Sequence, residues 1–265
     1  MKLKHMFIGV VATFVMAPTL ASAQAGLPRS TPISTAGPND VRVYATYTVA
    51  PQLEAVKAEA EKLLGKKIIF QYGSARGNLH DAIAMGNGEF EVAILLPDVH
   101  EKLWAAGKIK PGSHEIARAP VAFAVRGAAT VDVSNPEAVK KTLLGASSVE
   151  YAPTGAALMT VRKVLGDLQI ADKVKDGSAI REPVQLTGDQ YEMNIFPISE
   201  IVVNNQVRNL GPVIKELQVP AIVEATVGAN TRDEAAARAL IKFLQGPAID
   251  PALKAGYLDK GVIRN

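Results

Sequence analysis

Between Val41 and Pro97 the apolar positions switch rhythm four times. "VRVYATY" is a short β-branched and aromatic run that predicts a strand. Pro51 then opens a helix whose Leu53, Val56, Ala60, Leu63 and Leu64 fall on one face, and Gly65 ends it. "KKIIFQY" reads as a second strand. "GSARGNLHDAI" follows as a turn of small residues running into a helix from Gly77, and "FEVAILLP" is a third strand carrying a continuous apolar run. Strands that alternate with helices in this way predict a parallel sheet with helices on its faces.

A second set follows. "APVAFAVRG", Ala119 to Gly127, is an apolar strand. "NPEAVKKTLL" is a helix with Asn135 as N-cap and Pro136 at its first position. "SSVEYAPTG" repeats the strand, turn and helix form, with Ala157, Leu158, Val161, Val164 and Leu165 on the buried face of the helix. After "IFPISEIVVN" comes the strand "PAIVEATVG". The helix "TRDEAAARALIKFLQGPA" is then expected to be capped by Thr231, with Glu234 completing a capping box and Ala237, Leu240, Ile241 and Leu244 buried. Two strand-like crossings, near Val121 and Ile222, join the sets and predict two lobes around a cleft. Ligands in such sheets sit at the carboxyl ends of strands, where helix N-termini point.

Composition changes this picture at the N-terminus. Lys2 and Lys4 precede an apolar run from Met6 to Ala17, and Ala21-Ser22-Ala23 has the small-x-small form of a cleavage site, so residues 1–23 read as an export signal cut after Ala23. The run is too short, and too soon interrupted by Pro18, for a membrane span. Residues 24–40, rich in Pro, Gly, Ser and Thr, read as a flexible mature terminus. The chain has no cysteine, which excludes disulfides, thiolate nucleophiles and thiolate metal sites. Removing the signal takes two lysines from the 29 basic residues and leaves 27 against 26 acidic ones, and no basic stripe interleaved with aromatics argues for nucleic acid. His80, His100 and His114 match no metal spacing, and no nucleophile elbow, P-loop or dinucleotide loop occurs; no cofactor is expected.

The order and spacing of "VYATYTV", "YGSARGNLHDAI…GEFEVAILLP", "YAPTGAALMTVRKVLGDLQIADKV" and "IFPISEIV…ARALIKFLQGPA…LKAGYLDKG" resemble the periplasmic molybdate-binding-protein-like solute receptors. The resemblance spans nearly all of the mature chain and implies an α/β, two-lobed type II periplasmic binding fold. Lobe 1 would comprise residues 41–120 and 222–265, lobe 2 residues 121–221, with "VAFAVR" and "AIVEATV" as hinge strands. It further implies a monomer that closes on a small anion and delivers it to the membrane subunits of an ABC-type importer. The implied anion contacts are Thr46, Tyr47 and Thr48, then Gly73, Ser74, Ala75 and Arg76, then Pro153, Thr154 and Gly155, with Ser199 beside Glu200 in "IFPISEI".

Arg76 departs from the neutral donors typical of molybdate sites. A guanidinium offers paired donors that suit a carboxylate, so a di- or tricarboxylate becomes an expected ligand beside a compact oxyanion. One branch of the family resembles aconitate isomerases, which move a double bond through a proton shift. For that chemistry His80, one helical turn after Arg76, and Glu200 are the candidate proton carriers, with Tyr47 and Tyr151 as further ones. The plainer reading of His80 is an exposed helix residue, and that of Glu200 a surface carboxylate.

Overall fold

The structure, a computed structural model, describes residues 26–174, 176–178 and 185–262. The expected export signal and its cleavage point after Ala23 lie outside the described residues. Two sheets divide the molecule, as the two sets of alternating elements predict, and the fold is the two-lobed α/β fold of periplasmic binding proteins.

The first sheet begins with β1 (Val41–Thr46) and β2 (Ile68–Gly73), joined by α1 (Ala50–Leu64). After α2 (Asn78–Met85) come β3 (Val92–Leu95), α3 (Pro97–Ala105) and β4 (His114–Ala119). Later in the chain β10 (Ala221–Val227), α7 (Glu234–Gln245), α8 (Asp250–Ala255) and β11 (Asp259–Lys260) return to the same layer, giving the strand order β11-β4-β10-β3-β1-β2. β1 runs parallel to β2 and β3, whereas β10 is antiparallel to β3 and β4. Every residue of β1 is buried, as expected of a central strand covered on both faces.

The second sheet holds β5 (Val121–Arg126), β6 (Ser148–Tyr151), β7 (Asp176–Ser178), β8 (Glu192–Pro197) and β9 (Arg208–Pro212) in the order β7-β6-β8-β5-β9. Its helices are α4 (Pro136–Gly145), capped by Asn135 through Ala138 N–H, α5 (Leu158–Asp167) and the single turn α6 (Ile198–Ile201). Val121, Phe123, Val139, Val149, Val161 and Ile195 belong to its separate apolar core.

The two segments expected as hinge strands belong to separate sheets. "VAFAVR" is β5, wholly inside the second sheet, and "AIVEATV" is β10, wholly inside the first. The chain crosses at Pro120 and over residues 213–220. Gln218 ties the crossings together: its amide accepts from Val121 N–H at 3.0 Å and donates to the carbonyls of Val121 at 2.9 Å and Val213 at 3.2 Å.

Three other expectations are revised. Leu63 is 62% exposed because it sits at the edge of the helical arc that Leu53, Val56 and Ala60 define. The N-cap of α7 is Asp233, whose carboxylate accepts from Ala236 N–H at 2.9 Å; a charged acceptor suits the helix N-terminus better than the Thr231 hydroxyl, which instead accepts from Asp233 N–H at 3.3 Å. The stretch before β1, read from composition as flexible, lies along β2. Thr31 N–H donates to Phe70 O at 3.0 Å, Ser30 Oγ to Tyr72 O at 2.9 Å and Ile33 N–H to the Gln71 side chain at 3.0 Å. β2 is the edge of its sheet, and this stretch supplies partners for its open backbone and side-chain groups.

Candidate functional site

The parallel register of β1 and β2 places Thr46 beside Gly73 at their carboxyl ends. Both strands turn there into helices, and β6 does the same from the other lobe through Pro153 and Thr154. A cavity of about 410 Å3 lies where these corners meet. Thr46, Tyr47, Gly73, Ser74 and Asn78 line it from the first lobe. Pro153, Thr154 and Gly155 face them from the second, Phe196 and Glu200 close one side, and Leu27 of the N-terminal stretch also reaches in.

The first turn is shaped by close approaches. A Cβ on Gly73 would lie 2.6 Å from Asn78 Oδ1 and 2.9 Å from Leu79 Cγ, and one on Gly77 would lie 2.9 Å from Thr154 Oγ1. A side chain at either position would force these neighbours to shift. Asn78 Oδ1 accepts from Ser74 N–H at 2.8 Å and fixes the loop. Across the cleft Ser74 Oγ donates to Thr154 O at 2.8 Å and lies 2.9 Å from Thr154 Oγ1, while Arg76 N–H donates to Thr154 O at 3.1 Å. The two turns therefore touch directly across the cleft, and both line the cavity.

Arg76 is placed differently from its expected role. Its guanidinium makes a two-pronged ion pair with Asp98, Nε to Oδ2 at 2.7 Å and Nη2 to Oδ1 at 2.9 Å, and Nη1 donates to Gly155 O at 2.8 Å. Asp98 lies at the start of α3, where a carboxylate suits the helix dipole, and it holds the arginine in an adjoining groove with Ala156 and Ile222. Arg76 does not line the cavity. His80 does not line it either: it is half-exposed, with Nδ1 3.1 Å from Asp81 Oδ1. Ala75 is fully buried in the first core, and Thr48 and Ser199 stand behind the cavity wall.

Those two hidden hydroxyls support Glu200. Thr48 Oγ1 donates to Glu200 Oε1 at 3.1 Å and lies 3.2 Å from Thr46 Oγ1, while Ser199 Oγ donates to Thr48 O at 2.6 Å. Burial pushes the Glu200 carboxyl from its ordinary 4.5 up to about 7, against the pull of the Thr48 hydrogen bond. Burial and the neighbouring Glu200 charge together raise the Tyr47 phenol. Among the lining residues Glu200 and Tyr47 are the two that titrate, and Glu200 is the one that carries a formal charge near neutrality. Sequence reasoning missed Leu27, Asn78, Ala152, Ala156 and Phe196. Asn78 and Phe196 sit within motifs that pointed to the site, "SARGN" and "IFPISE", whereas nothing in the sequence marks Leu27.

A two-lobed α/β fold with a cavity at the strand ends of both lobes is the arrangement of periplasmic binding proteins. The chain belongs to the bacterial extracellular solute-binding proteins, whose pattern matches residues 41–257. An aconitate isomerase from a Pseudomonas species is 26% identical over 242 residues, covering 87% of this chain and 92% of that protein. The periplasmic molybdate-binding protein of Azotobacter vinelandii superposes with a TM-score of 0.60 at 16% identity, covering 85% of this chain and all (100%) of that one. A sulfate-binding protein of Mycobacterium tuberculosis does so with a TM-score of 0.63 at 16% identity, covering 84% and 87%.

Proposed function

We propose that the cleft captures a small organic polycarboxylate, exported residues 24–265 serving as the receptor of an ABC-type importer and residues 1–23 as the export signal. The observation that carries this reading is Glu200 inside the cavity. An ionised carboxylate would repel any anion, whereas a protonated one donates a hydrogen bond to it. A carboxyl group that titrates near neutrality is therefore suited to hold a ligand carboxylate in its protonated form. The volume favours the same class, because a cavity of about 410 Å3 leaves a compact tetrahedral oxyanion without contacts on most sides. Thr46, Ser74, Thr154 and Asn78 supply neutral donors, and the N-termini of α2 and α5 face the site with their positive ends. Arg76 plays no part in this recognition.

A second reading, isomerisation of an unsaturated tricarboxylic acid, is favoured by the same carboxyl and by the Pseudomonas relative. A group with a pKa near 7 can both take and return a proton at neutral pH, which a shift of a double bond between carbons requires. In this reading Glu200 removes a proton from one carbon and returns it to another, and neutral donors hold the carboxylates in place.

Proton NMR of trans-aconitate separates the two. Conversion to the cis isomer by a trace of the mature chain, abolished in Glu200→Gln, establishes the isomerase. Saturable broadening of the ligand signals at near-stoichiometric protein, without conversion, establishes the receptor. Neither conversion nor broadening by trans-aconitate, citrate or tricarballylate would overturn the polycarboxylate assignment.

A further inference from the structure

The stretch ahead of β1 runs from one lobe to the other. On the first lobe Ile33 packs against the core, and Ser30 and Thr31 are held on the edge strand β2 by their bonds to Tyr72 O and Phe70 O. Toward its start Gly26 lies against the loop that follows α6, between β8 and β9 of the second sheet. A Cβ on Gly26 would come within 1.9 Å of Val203 O, and its φ is +84°. The close approach and the left-handed backbone both require glycine. Between these two anchorages Leu27, half-buried, lines the ligand cavity.

Most of the cavity wall is polar or small. Thr46, Ser74, Asn78 and Thr154 offer donors and Glu200 its carboxyl, while Leu27 and Phe196 are the two large lining side chains without a polar atom. A compact inorganic oxyanion is polar on every side, so against such a wall it loses water and gains no partner. A ligand with carbon between its charged groups fits better, because its CH2 faces leave water when they meet leucine and phenylalanine. Phe196 comes from β8, inside the part of the chain that the family pattern matches. Leu27 lies ahead of that part, which begins at residue 41. The N-terminal stretch therefore adds to the cleft an apolar contact that the family pattern does not supply.

We infer that Leu27 is a specificity-determining residue: the N-terminal stretch is a strap across the cleft that sets Leu27 against the carbon skeleton of the bound acid and favours organic polycarboxylates over compact oxyanions. The inference rests on the polycarboxylate reading of the cavity and adds to it the part of the ligand that the strap recognises. Anchorage on β2 at one side and against Val203 at the other fixes where the leucine stands, so its contribution depends on the strap as well as on the side chain.

Calorimetric titrations of the mature chain and its variants with tricarballylate, citrate and sodium sulfate test this. Leu27→Ala should weaken the carboxylates by about tenfold, and any affinity for sulfate should stay as it is, because sulfate has no carbon for the leucine to cover. Gly26→Val, which forces the strap away from Val203, should weaken the same ligands. Leu63→Ala, the same truncation at an exposed position on α1, should weaken none. In NMR of the complex the carbon-bound protons of the ligand should cross-relax with a leucine methyl pair whose signals are missing from Leu27→Ala. Carboxylate binding of equal strength in the parent chain and Leu27→Ala, without that cross-relaxation, would overturn the role of Leu27 and leave the polycarboxylate reading standing. An equal loss for carboxylates and sulfate would also overturn it, as a general disturbance of the cleft. Failure of the parent chain to bind either carboxylate would remove both readings together.

Discussion

Two corners of the cleft invite comparison: the Ser74–Gly77 turn, which carries Arg76, and the Pro197–Glu200 corner. Both follow the carboxyl end of a strand, and both present an ionisable side chain near the cavity. At the first, Asp98 captures the guanidinium and the cation ends in an adjoining groove, off the cavity. At the second, burial and the Thr48 hydroxyl act on the carboxyl, which stays in the cavity wall. Backbone geometry at such corners follows from local sequence. The direction of a long charged side chain follows from whichever opposite charge a separate element brings within reach, here Asp98, 22 positions along the chain from Arg76.

The comparison can be broken most sharply at Glu200. Replacing it with glutamine removes the charge that repels an anion and keeps a donor, so polycarboxylate affinity at alkaline pH should rise by about tenfold or more in calorimetric titrations. If the protein turns out to catalyse isomerisation, the same variant should lose on the order of a hundredfold or more of its turnover, as removal of a general base does. Loss of binding at acidic pH would show instead that the carboxylate itself is needed.

Stability should report the same group. The folded carboxyl titrates near 7 and the ordinary one near 4.5, so the protonated form is favoured in the fold. That contribution is complete below about 4.5 and is lost as pH rises through about 7. Melting temperature should therefore fall across this window in the parent chain, and the fall should be smaller in Glu200→Gln.

A smaller effect is expected from Thr48→Val. The Thr48 hydrogen bond lowers the Glu200 pKa, so its loss should move the midpoint of pH-dependent binding upward, with a stability cost of about 1 kcal/mol. A downward shift would place the support of Glu200 elsewhere. Arg76→Ala should have the least effect on ligand choice: the ranking of polycarboxylates should be unchanged, and affinity should fall by less than about tenfold through the lost link to Gly155. A large loss confined to carboxylates would return the guanidinium to the ligand. His80→Ala should leave both binding and any turnover as they are.

Much of this was legible in the sequence, for reasons that differ by residue. The alternation around β1, β2 and β3 is enforced by burial on both sheet faces, which leaves a continuous apolar signature. Gly73 and Ser74 stood out because a close approach of backbone needs small residues; Thr154, Gly155 and Glu200 came from the family resemblance, Glu200 against a plainer reading as a surface carboxylate. Arg76, expected at the anion from its place in the turn, and His80, weighed against a plain exposed helix position, do not line the cavity, because local sequence does not say which outside partner claims a long side chain. Leu27 was invisible, since a Pro- and Ser-rich stretch shows no period and its course is set by the open edge of β2.

The measurement that bears most directly on Glu200 is proton uptake on binding. Calorimetry of a fully ionised tricarboxylate at about pH 8, repeated in two buffers of different ionisation enthalpy, counts the protons taken up. Uptake approaching about one proton per ligand in the parent chain, and close to none in Glu200→Gln, is the result expected from a carboxyl that must be protonated to hold an anion. Binding without proton uptake, or equal uptake in both proteins, would contradict it.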